Sequence, residues 1–185
     1  MKNEHTVLLV DDEPHIISAL RRVLQELPVV IFSASSGAEA LQLLEKQNVH
    51  IIISDERMPH MAGSDFLAVA KERYPATIRM MLTGHASIEA AMRAVNAGAI
   101  YRFFMKPWND LEVVLAVKSA CDLYDLEEEN RILIRMIRIH QYHLRNLEQQ
   151  FPELPRHETD SEGNLVLSGL SGEEVDRMIG GIGKG

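Results

Sequence analysis

VLLVDDEP, residues 7–14, decides the fold. Val7–Val10 is an unbroken aliphatic run, the pattern of a strand covered on both faces inside a parallel sheet. Acids end the run, and Pro14 stands where the first turn of a helix begins. Four more short apolar runs recur downstream, at Val29–Phe32, Ile51–Ile53, Ile78–Leu82 and Tyr101–Met105. The stretches between them place apolar residues three and four apart, as helices do. These are Ile16, Ile17, Leu20, Val23 and Leu24; Ala40, Leu41 and Leu44; Phe66, Leu67 and Ala70; and Ile88, Ala91, Met92 and Val95. Pro28 and Pro75 follow helical stretches, and Gly37 and Gly98 mark helix boundaries. Strands alternating with helices through residues 1–120 predict an α/β fold. The expected form is a doubly wound, flavodoxin-like five-stranded parallel sheet in the order 2-1-3-4-5, with right-handed crossovers.

The 185 residues, 46% hydrophobic and 25% charged, allow one core of ordinary size and an appendage. The longest apolar runs fall far short of the roughly 18 residues of a membrane span. No secretory signal is visible at the N-terminus. The single cysteine, Cys121, rules out an intrachain disulfide and fits a cytoplasmic setting. The net charge of −8 divides as −2 over residues 1–120, −2 over 121–150 and −4 over 151–185. No segment is basic, which argues against a nucleic-acid surface.

The fifth helix is expected to start at Asn109 or Asp110 and to run past the domain it closes. No proline or glycine interrupts residues 109–151. A heptad register holds from Leu123 onward, with Leu123, Leu126, Asn130, Leu133, Ile137, His140, Leu144, Leu147 and Phe151 at its inner positions. One Asn at such a position fixes register and two-stranded state, so this pattern predicts a parallel dimeric coiled coil. The stripe folding back on its own domain is the plain alternative. The expected organisation is a domain over 1–120, a coiled-coil helix over 121–151 and an acidic, partly flexible tail over 152–185. In that tail Ser171 and Glu174 form a capping box ahead of Val175, Met178 and Ile179.

The chemistry gathers at the carboxyl ends of the strands, where ligands bind in this class. Asp11 and Asp12 follow the first strand, Asp55 the third, Thr83 closes the fourth and Lys106 the fifth. Converging carboxylates repel unless a cation joins them, and hard oxygen donors with open water positions suit Mg2+. A lysine and a hydroxyl opposite them hold a phosphoryl group by charge and hydrogen bond. That set permits phosphoryl transfer to a carboxylate, which depends on positioning and electrostatics. Singly, each residue is better explained as a helix cap or a turn.

VLLVDDEP, IIISDERMPHMAGSDFL, MMLTGHAS and YRFFMKPW, in this order, resemble the receiver domains of two-component response regulators over residues 5–120. The resemblance implies that Asp55 is the phosphoacceptor. It implies that Asp11, Asp12 and the backbone carbonyl of Arg57 help bind Mg2+, and that Thr83 and Lys106 contact the phosphoryl group. Thr83 and Phe103 would form the switch pair, without the phenolic hydrogen bond a tyrosine would give. Met58, Pro59 and Gly63 match the loop after the acceptor. Arg57 and His85 border the route of water to the acyl phosphate and are candidates for setting its lifetime. His140 and His143 are read as a seam residue and an exposed one, with no zinc spacing.

The implied donor is a sensor histidine kinase, and the implied output is a partner protein reached through the coiled coil. The receiver resembles those that precede HD-GYP or enhancer-binding effectors. No motif of either lies in residues 1–185, nor any separate catalytic domain. The alternatives are the sensory part of a longer regulator continuing past residue 185, and a phosphate sink without output.

Overall fold

The structure, a computed structural model, describes residues 4–84, 88–96, 98–150, 158–159 and 165–166. The chain divides into two units, Met1–Ile132 and Leu133–Gly185. In the first, β1 (His5–Val10), α1 (Pro14–Leu24), β2 (Val29–Ala34), α2 (Gly37–Lys46) and β3 (Ile51–Asp55) alternate. They are followed by α3 (Gly63–Arg73), β4 (Ile78–Thr83), α4 (Ile88–Asn96) and β5 (Arg102–Met105). The last helix, α5, spans Asp110–Gln150. The strands form one parallel sheet in the order β2-β1-β3-β4-β5, as expected.

Alternation along the strands feeds two cores. Val7, Leu9, Ile51, Ile53, Met80, Leu82 and Phe104 pack on one side with Leu20 and Leu24 of α1 and Val113, Ala116, Val117 and Ala120 of α5. Leu8, Val10, Ile52 and Met81 pack on the other with Ala40, Leu44, Phe66, Leu67, Ala70 and Ala91. Burial on both faces explains why the strands read as continuous apolar runs. Met92, expected in the α4 stripe, is 53% exposed. Among the described side chains of that stripe, Ala91 is buried and Val95 half-buried against the core.

Local chemistry sets the helix starts. Pro14 occupies the first turn of α1, where its missing N–H is not needed. Ser36 caps α2 by accepting the Glu39 N–H (3.2 Å), and the Glu39 carboxylate accepts from the Ser35 N–H and hydroxyl (both 2.7 Å). Those two bonds hold the Glu39 carboxyl below its ordinary range. Asn109 caps α5 by accepting the Glu112 N–H (3.2 Å). α5 then continues without interruption, as the absence of proline and glycine predicts.

At the edge of the sheet away from the strand carboxyl ends, His50 stacks on Tyr124 of α5 with ring centres 4.3 Å apart. His5 meets the His50 ring edge-on at 5.5 Å, and its Nε2 lies 3.4 Å from Asp125. The Thr6 backbone N–H donates to His50 Nδ1 (3.2 Å), which fixes that nitrogen as an acceptor. Burial, then the neighbouring His5, push the His50 pKa down. A histidine depressed in the fold contributes stability that is present above the unfolded-chain value and is lost as pH falls through the folded one. The unfolding midpoint should therefore fall on acidification below about pH 6.5. His50→Gln should show a smaller fall over the same window, as read by denaturant titrations at successive pH values.

The second unit contains β6 (Glu158–Thr159) and β7 (Leu165–Val166), which pair antiparallel. The sequence reading expected a loose segment at 153–164. Phe151 and the Ser171–Ile179 capping box lie outside the described residues.

Candidate functional site

Parallel strands bring their carboxyl ends to one rim, and the register places the chemistry there. β1 ends at Val10 beside Ser54 of β3, so Asp11 and Asp55 leave neighbouring strands together. Thr83 of β4 pairs with Met105, one residue before Lys106. The Lys106 backbone N–H donates to the Thr83 carbonyl (2.8 Å), which ties the lysine to the strand end.

Lys106 lies between two buried carboxylates. Its ammonium is 2.5 Å from Asp55 Oδ1 and 3.0 Å from Asp11 Oδ2. Burial disfavours its charge, but the hydrogen bonds to Asp55 and Asp11 outweigh burial and hold its pKa above the ordinary lysine value. Asp11 Oδ1 accepts the Glu13 N–H (2.8 Å), yet burial raises the Asp11 carboxyl above its usual range. Asp55 Oδ2 accepts the Arg57 N–H (2.6 Å). Asp12 is exposed at the same rim. Thr83 is fully buried, and its hydroxyl donates to the Gly84 carbonyl (3.2 Å). Phe103, opposite Met81 in the ladder, is half-buried against the core that Ala91 and Val95 line.

Among the described residues, no three acidic, histidine or cysteine side chains converge as a metal cluster. The donors fit a magnesium ion in its usual sparing mode, a few carboxylates, a carbonyl and water. The ammonium drawn onto Asp11 and Asp55 shows that these carboxylates make the rim electronegative.

The loop after β3 is held by contacts the motif comparison did not single out. The buried Glu56 accepts from the Ser64 N–H (2.9 Å) and the Ser64 hydroxyl (3.0 Å), so it caps α3 from the preceding strand end. The Gly63 N–H donates to the Glu56 carbonyl (2.9 Å). A Cβ at Gly63 would stand 2.0 Å from the Asp55 carbonyl oxygen. An acid eight residues before a Ser at a helix start was the only hint of the Glu56–Ser64 contact, and it lies outside the usual capping spacing. The Arg57 side chain is exposed and turns toward β4, with Nη2 3.4 Å from where a Gly84 Cβ would stand. His85 lies outside the described residues.

The sequence reading brought Asp11, Asp12, Asp55, Arg57, Thr83 and Lys106 to one rim, and the structure places them there. Of the expected seam, Leu123 is half-buried against its own domain's core, whereas Leu126, Asn130, Leu133, Ile137, His140 and Leu144 are exposed. The Leu147 side chain lies outside the described residues.

Comparison with known proteins agrees with this geometry. The family model described as the response regulator receiver domain matches residues 7–118. The chain is 38% identical over 129 residues to the hydrogenase transcriptional regulatory protein HoxA of Bradyrhizobium diazoefficiens, covering 70% of this chain and 26% of that one. It is 30% identical over 175 residues to the response regulator protein PilR of Pseudomonas aeruginosa, covering 93% of this chain and 38% of that one. The solved signal receiver domain of an HD domain-containing protein from Pseudomonas fluorescens Pf-5 superposes with a TM-score of 0.66 at 36% identity, covering 70% of this chain and 95% of that one. The chain thus spans about a quarter of the length of HoxA. Among the described residues, no helix is long and apolar enough to cross a membrane.

Proposed function

Because the chain belongs to the response regulator receiver domain family, we propose that it accepts a phosphoryl group on Asp55 from a sensor histidine kinase and passes that state through α5 to a partner protein. The observation that carries this reading is the Lys106 ammonium shared by Asp11 and Asp55 at the carboxyl rim of the sheet.

An Asp55 oxygen attacks phosphorus, the bond to the donor nitrogen breaks, and an acyl phosphate forms. Lys106 shares the charge that builds on the transferred group. A magnesium ion held by Asp11, Asp12, Asp55 and the Arg57 carbonyl would neutralise the rest. The Thr83 hydroxyl exchanges the Gly84 carbonyl for a phosphoryl oxygen, and Phe103 turns inward behind it. The two-state element so biased is the β4–β5–α5 side of the sheet. Downstream, the exposed apolar residues of α5 pair two copies in a coiled coil, and a cytoplasmic effector protein reads the result. Direct nucleic-acid binding is not part of this reading.

The test is labelling with acetyl phosphate and Mg2+. Wild type should take up phosphate at one site, Asp55→Asn should take up none, and chelation should abolish uptake. Label persisting on Asp55→Asn would refute the assignment. In the same assay Arg57→Ala and His85→Ala should change the decay rate of the acyl phosphate, because they stand two residues after Asp55 and Thr83 in the sequence. Unchanged decay in both would remove that role.

A second reading has its own support. The PilR match takes in nearly all of this chain but little more than a third of that protein. The receiver would then be the sensory part of a longer regulator, with an HD-GYP or DNA-binding effector beyond residue 185. Reading the gene past that codon decides between the two.

A further inference from the structure

α5 is divided by charge. Asp122, Asp125, Glu127, Glu128 and Glu129 follow one another with no base among them, and Arg131, Arg135, Arg138 and Arg145 then follow with no acid among them. Leu126, Leu133, Ile137 and Leu144 on the same helix are 57%, 56%, 56% and 49% exposed among the described residues. Ile134 and Met136 flank them and are exposed too. We infer that these residues pair with α5 of a second copy running antiparallel, with the twofold axis at Arg135. The orientation rests on the dimer reading proposed above, and it departs from the parallel coil that the lone Asn suggested.

Four features agree on this register. First, a twofold at Arg135 pairs Leu126 with Leu144, Asn130 with His140 and Leu133 with Ile137 of the second copy. The two polar seam residues then share a layer, and every other layer is apolar. Second, the His140 ring suits that partner. His140 Nδ1 lies 3.0 Å from the Met136 carbonyl. A carbonyl only accepts, so Nδ1 donates there, and Nε2 is left to accept from the Asn130 amide. Third, the flanking positions are compatible. Ile134 meets Ile134 of the second copy, Met136 meets Met136, and Glu129 lies beside His143. In a parallel pair with the same seam, Ile134 would face Glu129, Met136 would face Gln141, and Asp122 would face Glu127, a repulsive pair. Fourth, the antiparallel arrangement lays the acidic stretch 122–129 of each helix along residues 141–148 of the other, which carry His143 and Arg145, instead of along a second acidic stretch. Two helices lie about 10 Å apart, close to the Debye length at physiological salt, so this attraction is only partly screened.

The experiment uses the full chain with Cys121→Ser, so that no native thiol reacts. Leu126→Cys and Leu144→Cys proteins are prepared singly, mixed to exchange subunits and oxidised. Sedimentation of the unmodified protein reports its oligomeric state. The antiparallel register predicts disulfides between Leu126→Cys and Leu144→Cys chains, with little self-coupling of either, because like positions are about 27 Å apart along the helix. Self-coupling of each variant without the mixed product would overturn the orientation and leave the dimer standing. A monomer in sedimentation would overturn both. Acetyl phosphate labelling of each variant at the wild-type level shows that the receiver remains folded.

Discussion

Gly63→Ala is expected to cost the fold more than about 3 kcal/mol, at the far end of single-substitution effects, and to abolish phosphate uptake with it. The three atoms nearest the new methyl group are all backbone: the Asp55 carbonyl oxygen at 2.0 Å, then the Asp55 carbonyl carbon and the Glu56 Cα, both at 2.9 Å. A side chain could rotate away from such a contact, but the end of β3 cannot. It is hydrogen-bonded on both sides in the sheet, and Glu56 is fixed to Leu82 (2.9 Å) and to Ser64. Relief requires α3 to back away, which breaks the Gly63–Glu56 bond and uncaps the helix. The acceptor and the Arg57 carbonyl sit on that same turn, so the site goes with the loop. Gly84→Ala, on the opposite side of the rim, is the control. Among the described residues its methyl would meet only the flexible Arg57 guanidinium at 3.4 Å, and the change should leave the midpoint within about 0.5 kcal/mol. Denaturant titrations of both variants, with labelling in parallel, check the contrast. Equal midpoints would show that the loop is not fixed by this approach.

The second large effect belongs to Lys106→Met. The ammonium is 22% exposed at its side chain, and its partners Asp11 and Asp55 are 1% and 8% exposed, so the pair is nearly buried. Removing the cation leaves two carboxylates facing each other without water, a change that costs about 3–5 kcal/mol when the pair is fully enclosed. Partial exposure of the lysine, and proton uptake by one carboxylate, should reduce this to about 2 kcal/mol at neutral pH. The sign follows from the direction of the shift. A lysine raised in the fold contributes stability that is fully present below its unfolded value and is lost only as pH climbs through the folded one, so at neutral pH all of it is at stake. Magnesium should restore more stability to Lys106→Met than it adds to wild type, because it replaces the missing charge. Thermal melts with and without Mg2+ measure the difference, and equal gains in both proteins would mean that Lys106 and the metal act independently.

The sheet was legible because burial on both faces leaves no choice of side-chain type along a central strand. Val7–Val10 and Ile51–Ile53 read as strands for that reason alone. The acidic rim was legible once the strand order was, since Asp11, Asp55 and Lys106 each follow a strand directly. Less regular contacts were hidden. Glu56 caps α3 across a gap of eight residues, and His5, His50 and Tyr124 meet from three separate elements. No local period signals either arrangement. The heptad count from Leu123 is silent about ownership. The same leucine satisfies a seam register and a domain core, and the fold gives it to the core.

Leu123 and Tyr124 pack on the domain core while Leu126 is exposed, all on one unbroken helix. That makes residues 124–126 a splice junction with a phase. One residue inserted there would turn the downstream stripe by about 100° while leaving the receiver intact, whereas seven would return it almost to its starting angle. A ladder of insertions from one to seven residues would therefore act as a dial on whatever reads the helix, with output returning at the seventh step if angular alignment is what is transmitted.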